Sequence, residues 1–206
     1  MAGLREKQKA QRRALIEKAA ADLFVEKGFA DTTIEEIAER ALVSAPTVYN
    51  YYGTKGDLLL ALVARGEEGI EEAQDDFSKQ TGTHTPSELV AKVIHSNVND
   101  TLSALSRELW GHVVAFVATA SDPAVAPRYI ETIASGLGTA IESVLRKYQD
   151  DGKLRAGTDM HELAFLLTRM ERIHFLNYVY LKDMTVEDLH NAIAADVAMI
   201  VGPYEI

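Results

Sequence analysis

The sequence predicts an all-α chain of about nine helices, a three-helix unit at the N-terminus followed by a larger helical body. Three observations predict it. Apolar residues recur at three- and four-residue spacing along most of the chain, and sustained two-residue alternation of β-branched residues between turn clusters is lacking. Gly, Pro and small polar residues also fall where helices of ordinary length would begin and end. The 206 residues can bury a substantial core, and 47% hydrophobic with 25% charged residues is the balance of a globular protein.

The elements follow in order. Leu15, Ala19 and Leu23, beside Ile16, Ala20 and Phe24, form a broad apolar helical face. Gly28 ends that helix, because it accepts a left-handed conformation without steric cost. Thr33-Ile34-Glu35-Glu36 reads as a capping box, in which hydroxyl and carboxylate satisfy free backbone N–H groups reciprocally. The short helix it opens buries Ile34, Ile37, Ala38 and Ala41. Ser44 is the N-cap of a third helix, roughly Ala45 to Tyr51, with Pro46 in the first turn where a missing N–H costs nothing. Gly53 breaks the chain, and Thr54-Lys55-Gly56-Asp57 caps a fourth helix from near Leu58 to about Ser78. Beyond Thr85-Pro86-Ser87-Glu88, another cap, helices are expected at about 86–103, 106–120, 124–150, 159–181 and 185–201. The expected division is residues 1–57 and residues 58–206.

Composition narrows the function class. No apolar run approaches the roughly 18 residues of a membrane span, and the N-terminus lacks the apolar stretch of a secretory signal, so a cytoplasmic protein without a membrane partner is expected. Without cysteine there are no disulfides and no thiolate metal sites. His161-Glu162 begins like a zinc-protease motif, but Phe165 stands where the second histidine belongs. A glycine-rich phosphate loop and a Gly-x-Ser-x-Gly elbow are also missing. The expectation is a protein that is no enzyme and carries no cofactor and no metal.

Charge is unevenly distributed. The net charge is −10, yet residues 1–65 hold ten Lys/Arg against nine Asp/Glu while the remainder holds 11 against 22. Arg5, Lys7, Lys9, Arg12 and Arg13 crowd the first thirteen residues. Such asymmetry suits a nucleic-acid-binding end on an acidic body, and equally a solvated leader.

Thr33 to Leu58 is the informative stretch. Two short helices joined by a tight turn, with a third packed behind, is the arrangement that sets a second helix into the major groove. That second helix is expected to expose Thr47, Tyr49, Asn50, Tyr51 and Tyr52, with Val48 as its firmly apolar position. Hydroxyls and an amide can bond phosphates and base edges, and aromatic faces can pack on thymine methyls. A tyrosine-rich core helix would carry the same residues inward, and the flanking caps favour the first reading.

These residues resemble the tetracycline-repressor (TetR) family of bacterial regulators. The resemblance lies in Thr33-Ile34-Glu35-Glu36-Ile37-Ala38, Val43-Ser44, Thr47-Val48-Tyr49, Tyr51-Tyr52, Thr54-Lys55 and Leu58-Leu59, preceded by Ala20 to Phe29. It covers about residues 12–62. Gly56, where the family commonly has an acidic residue, and Tyr52, where it commonly has Phe, depart from the pattern. The resemblance implies a helix-turn-helix DNA-binding domain followed by a helical domain that binds an effector and dimerises. Thr33, Tyr51 and Lys55 would then contact the DNA backbone; Ser44 would open the reading helix; and Ala45, Pro46, Thr47, Tyr49 and Asn50 would face bases. The implied partners are a double-stranded DNA operator, a small-molecule effector of apolar or aromatic character, and a second copy in a homodimer.

Effector contacts are sought among polar and aromatic residues on otherwise apolar faces: His95, Asn99, Trp110, His112, Phe116, Phe165, Arg169, His174, Asn177 and Tyr178. A dimer seam is sought in Leu163, Leu166, Leu167, Met170, Leu189, Ile193, Val197 and Ile200. The expected function is a regulator, by family habit a repressor, released from its operator by the effector. The alternative is an architectural or effector-independent DNA-binding protein without a ligand pocket.

Overall fold

The computed structural model describes residues 2–67, 77 and 80–206, and the side chains of these except 2, 4, 5, 65–67 and 131–135. The chain is all-α: α1 (Ala2–Lys27), α2 (Ile34–Arg40), α3 (Ala45–Tyr52), α4 (Lys55–Glu67), α5 (Pro86–Ala104), α6 (Arg107–Thr119), α7 (Val125–Asp150), α8 (Met160–Tyr180) and α9 (Val186–Val201). A 3-10 turn, Gly202–Tyr204, follows. The expected boundaries from α5 onward agree to within about a residue, because each break carries its own cap. The expected reach of the fourth helix to Ser78 lies mostly outside the described residues.

The chain divides into two compact units, Met1–Arg65 with Ala104–Ala126, and Gly66–Ser103 with Pro127–Ile206. Ile16, Ala20, Phe24, Ile37, Val48, Leu58 and Leu59 are buried in the first. α2 opens with the full capping box: Thr33 Oγ1 accepts from Glu36 N at 3.2 Å, and Thr33 N donates to Glu36 Oε2 at 3.0 Å. The same device opens α4, where Asp57 N donates to Thr54 Oγ1 and Thr54 N to Asp57 Oδ2, at 3.0 and 3.1 Å. The turn between α2 and α3 is tighter than its residues prefer. Leu42 holds φ at +55°, in the left-handed region, and is 93% exposed. A leucine there places Cβ against the following carbonyl, at about 1–2 kcal/mol.

The second unit is held differently. Leu89, Ile94, Leu137, Ile141, Leu145, Leu167, Ile193 and Val197 are buried, and α8 packs along α9. Distant polar contacts close it: Ser87 N donates to Glu205 Oε1 at 2.8 Å, Tyr148 Oη to His84 O at 2.8 Å, and Lys153 Nζ to Thr81 O at 2.9 Å. An isolated antiparallel bridge pairs Leu154 with Glu205. Burial, followed by the nearby carboxylates Glu88, Glu205 and Asp151, pushes the Tyr148 phenol up to about 12. Among the described residues, no helix is long and apolar enough to cross a membrane.

Candidate nucleic-acid interface

α3 is eight residues long and points its polar side outward because of two inward anchors four residues apart. Val48 is fully buried, and Tyr52 is 8% exposed. Tyr52 Oη donates to Glu17 Oε1 at 2.9 Å, and Arg13 Nε donates to the same carboxylate oxygen at 2.9 Å. Burial and the Glu17 carboxylate raise the phenol's pKa well above its ordinary value. This corrects the expectation that Tyr52 joins the exposed set. Residues four apart share a helical face, so Tyr52 must follow Val48. Glu17 was missed altogether; its signal was an acid on the apolar face of α1, one turn from Arg13 and between Ile16 and Ala20.

With those anchors inward, Tyr49 is 48% exposed, Asn50 and Pro46 are exposed, and Ala45, Thr47 and Tyr51 are half-buried. Ser44 is exposed at the N-cap, but its hydroxyl contacts Thr47 Oγ1 at 2.8 Å and no backbone N–H of the helix. Ser44 O instead accepts from Thr47 N at 2.8 Å. Thr33 is exposed at the N-terminus of α2. Beside it the Glu36 carboxyl is lowered to about 2, chiefly by its hydrogen bond from Lys27 and then by those from Thr33.

Lys55, expected on the DNA backbone, is engaged within the protein. Its ammonium donates to the carbonyls of Phe29, Ala30 and Thr32 at 2.5, 3.2 and 2.7 Å, and lies 4.5 Å from the centroid of the Phe29 ring. An ammonium has three donors, and this geometry gives each an acceptor. Burial lowers its pKa. Lys55 therefore fastens the start of α4 to the corner between α1 and α2.

α6 closes the same unit with two side chains one turn apart. His112 packs on Phe29 with centroids 5.0 Å apart, and Phe29 in turn meets Phe24 at 5.1 Å. Phe116 covers Gly56 so closely that a Cβ there would stand 2.2 Å from the ring. The glycine noted as a departure is thus the seat of an aromatic ring.

The effector candidates scatter. Trp110 is buried on α6, and His112 and Phe116 make the contacts just described. In the second unit His95 stacks on His190 at 4.3 Å, and His174 Nε2 meets Asp196 Oδ2 at 2.7 Å. Asn99 and Asn177 are exposed, while Tyr178 is buried beside Phe175. Phe165 and Arg169 meet at a cavity. The Arg169 guanidinium lies 4.0 Å over the Phe165 ring, beside an open groove of about 540 Å³ also lined by Ile130, Thr139, His161 and Thr168. Glu142, on the same wall, accepts from His161 Nδ1 at 2.8 Å, which raises the imidazole's pKa. Of the seam candidates, Leu163, Leu167, Leu189, Ile193 and Val197 are buried within one chain, Met170 and Ile200 are half-buried, and Leu166 is 50% exposed.

Residues 16–62 match the family model described as bacterial regulatory proteins, tetR family. That stretch, under a quarter of the chain, is similar to the N-terminal region of tetR-family regulators. Over 60 residues it is 38% identical to the transcriptional activator FasR of Mycolicibacterium smegmatis, covering 29% of this chain and 27% of that protein. Over 49 residues it is 47% identical to the transcriptional regulator HbdR of an Aromatoleum species, covering 24% of this chain and 21% of that protein. The matched stretch thus spans about a quarter of the length of these relatives. A fold match runs the length of the chain: Thermus thermophilus FadR, described as a TetR-family repressor in complex with lauroyl-CoA, superposes with a TM-score of 0.70 at 23% identity, covering 91% of this chain and 92% of that one.

Proposed function

We propose that this chain is a sequence-specific DNA-binding transcriptional regulator, a homodimer that represses until a small molecule releases it from its operator. The observation that carries the reading is the orientation of α3, with Val48 and Tyr52 anchored inside and Tyr49, Asn50 and Pro46 outside. On that side Ala45, Pro46, Thr47 and Asn50 would face base edges, Tyr49 a base or phosphate, and Thr33 and Tyr51 the DNA backbone, with Ser44 setting the helix start. Lys55 would act by holding the corner. The base-facing set has no Arg or Lys, so a bidentate guanine contact is not expected, and Asn50 with thymine-methyl contacts would supply discrimination.

For the second copy, exposed Leu166 and Ile173 on α8 and Met199 on α9 offer apolar surface, with Met170 and Ile200 beside them. For the effector, the groove at Phe165 and Arg169 suits an apolar body with an anionic head, a chemistry compatible with the acyl-CoA held by the FadR relative. Repression is the sense adopted from that relative, FasR being described as an activator.

The test selects a duplex from a random-sequence pool with the wild-type protein, then measures its retention by Tyr49→Ala and Asn50→Ala. Both should lose it, with helix content unchanged by circular dichroism. Undiminished retention by both variants would refute the assignment.

A further inference from the structure

A buried carboxylate lies against the end of α3. Glu17 is 6% exposed and follows Ile16 on α1, which is fully buried. Its Oε1 accepts from Tyr52 Oη and from Arg13 Nε, each at 2.9 Å. The Arg13 guanidinium also lies 5.9 Å from the centroid of the Tyr52 ring. Taking charge out of water is costly, and replacing such a buried polar cluster by well-packed apolar residues is often neutral or stabilising. Stability alone therefore gives a poor account of an acid at this place.

What the carboxylate adds is direction. α3 is eight residues long and buries Val48 and Tyr52. Val48 makes apolar contact, which depends little on angle, whereas a hydrogen bond weakens steeply as its donor angle closes. Among the described residues, the bond from Tyr52 to Glu17 is the one that ties an α3 side chain to another helix, since Thr47 meets Ser44 next to its own turn. Side chains end about 6 Å from a helix axis, so a roll of about 10° moves such an end by about 1 Å. A shift of that size spoils the two-point fit of an amide such as Asn50 on a base edge. Phosphate contacts carry no sequence information, so discrimination is the property that registers the roll.

We propose that Glu17 is a specificity-determining positioning residue, setting the roll of α3 through the Tyr52 hydroxyl and with it the discrimination between base pairs. This role rests on α3 being the reading helix of the proposed regulator. Glu17 is buried and acts through Tyr52, while Arg13 holds the carboxylate from the other side.

The experiment compares, by fluorescence anisotropy, the selected duplex with duplexes in which one selected base pair at a time is replaced. Urea unfolding of each variant runs beside it. Glu17→Leu combined with Tyr52→Phe exchanges the polar pair for an apolar one and keeps the ring. This double variant should unfold at the wild-type urea concentration or above it. Its affinity ratio between the selected and the altered duplexes should nevertheless fall about five-fold or more. Glu17→Gln, which keeps an oxygen for the hydroxyl, should recover most of the ratio that Glu17→Leu loses. A merely structural pair would move the unfolding midpoint and leave the ratio alone. A double variant whose ratio stays within about two-fold of wild type overturns the proposal, as does Glu17→Gln faring no better than Glu17→Leu. Should the double variant fail to fold, Tyr52→Phe alone is held to the same ratio. If the wild-type protein discriminates among no duplexes, the regulator reading falls. If wild type and variants discriminate alike, that reading stands and the role of Glu17 fails.

Discussion

The two units are stabilised by different physics. In the first, decisive contacts sit at breaks in the chain: a capping box before α2, another before α4, a lysine on three carbonyls, and a glycine under a phenylalanine ring. In the second, long helices bury apolar faces, and polar contacts join distant residues, Ser87 and Glu205 being 118 positions apart. A short helix buries too little area to fix its own orientation, so the first unit relies on specific fasteners. Long helices recover enough apolar area to tolerate loose polar detail.

Substitutions can break or sharpen that contrast. The largest expected effect is in the second unit, where Leu145 is fully buried on α7. Leu145→Ala should cost about 2–5 kcal/mol in urea unfolding, with retention of the selected duplex unchanged under folding conditions. A cost below about 1 kcal/mol would mean that apolar burial does not dominate there. Next comes the first unit's glycine seat. Gly56→Ala should cost about 1–3 kcal/mol through overpacking, and combining it with Phe116→Ala should recover part of that loss. Additive costs in this double-mutant cycle would remove Phe116 as the cause. The smallest effect is a gain. At Leu42 the left-handed strain of about 1–2 kcal/mol exceeds the roughly 0.5–1 kcal/mol of backbone entropy that glycine adds. Leu42→Gly should thus raise stability by about 0.5–1 kcal/mol, and a loss would show that the exposed side chain makes a contact of its own.

How much was legible in the residues follows the same line. Thr33 with Glu36 and Thr54 with Asp57 lie three residues apart, so element starts could be read from a short window. The phase of α3 was legible too: Val48 and Tyr52 are one turn apart, which already turns Tyr52 inward, but a hydroxyl suggested exposure. Its partner Glu17 is 35 residues away, and nothing local names it. In the second unit, that His95 would stack on His190 depends on which helices become neighbours. Individual polar residues on apolar faces were therefore visible, but their grouping was not. Phe165 and Arg169 came together because they are four apart on one helix, the spacing a sequence does display.

Lys55 offers a consequence outside DNA binding. Burial depresses its ammonium's pKa, which favours the nucleophilic free amine, while three carbonyls and the Phe29 ring enclose it. An acylating reagent can take this amine only at the expense of its three carbonyl contacts, which fasten the corner between α1 and α2. Its labelling rate, set beside that of exposed lysines such as Lys18, becomes a clock for how often that corner opens.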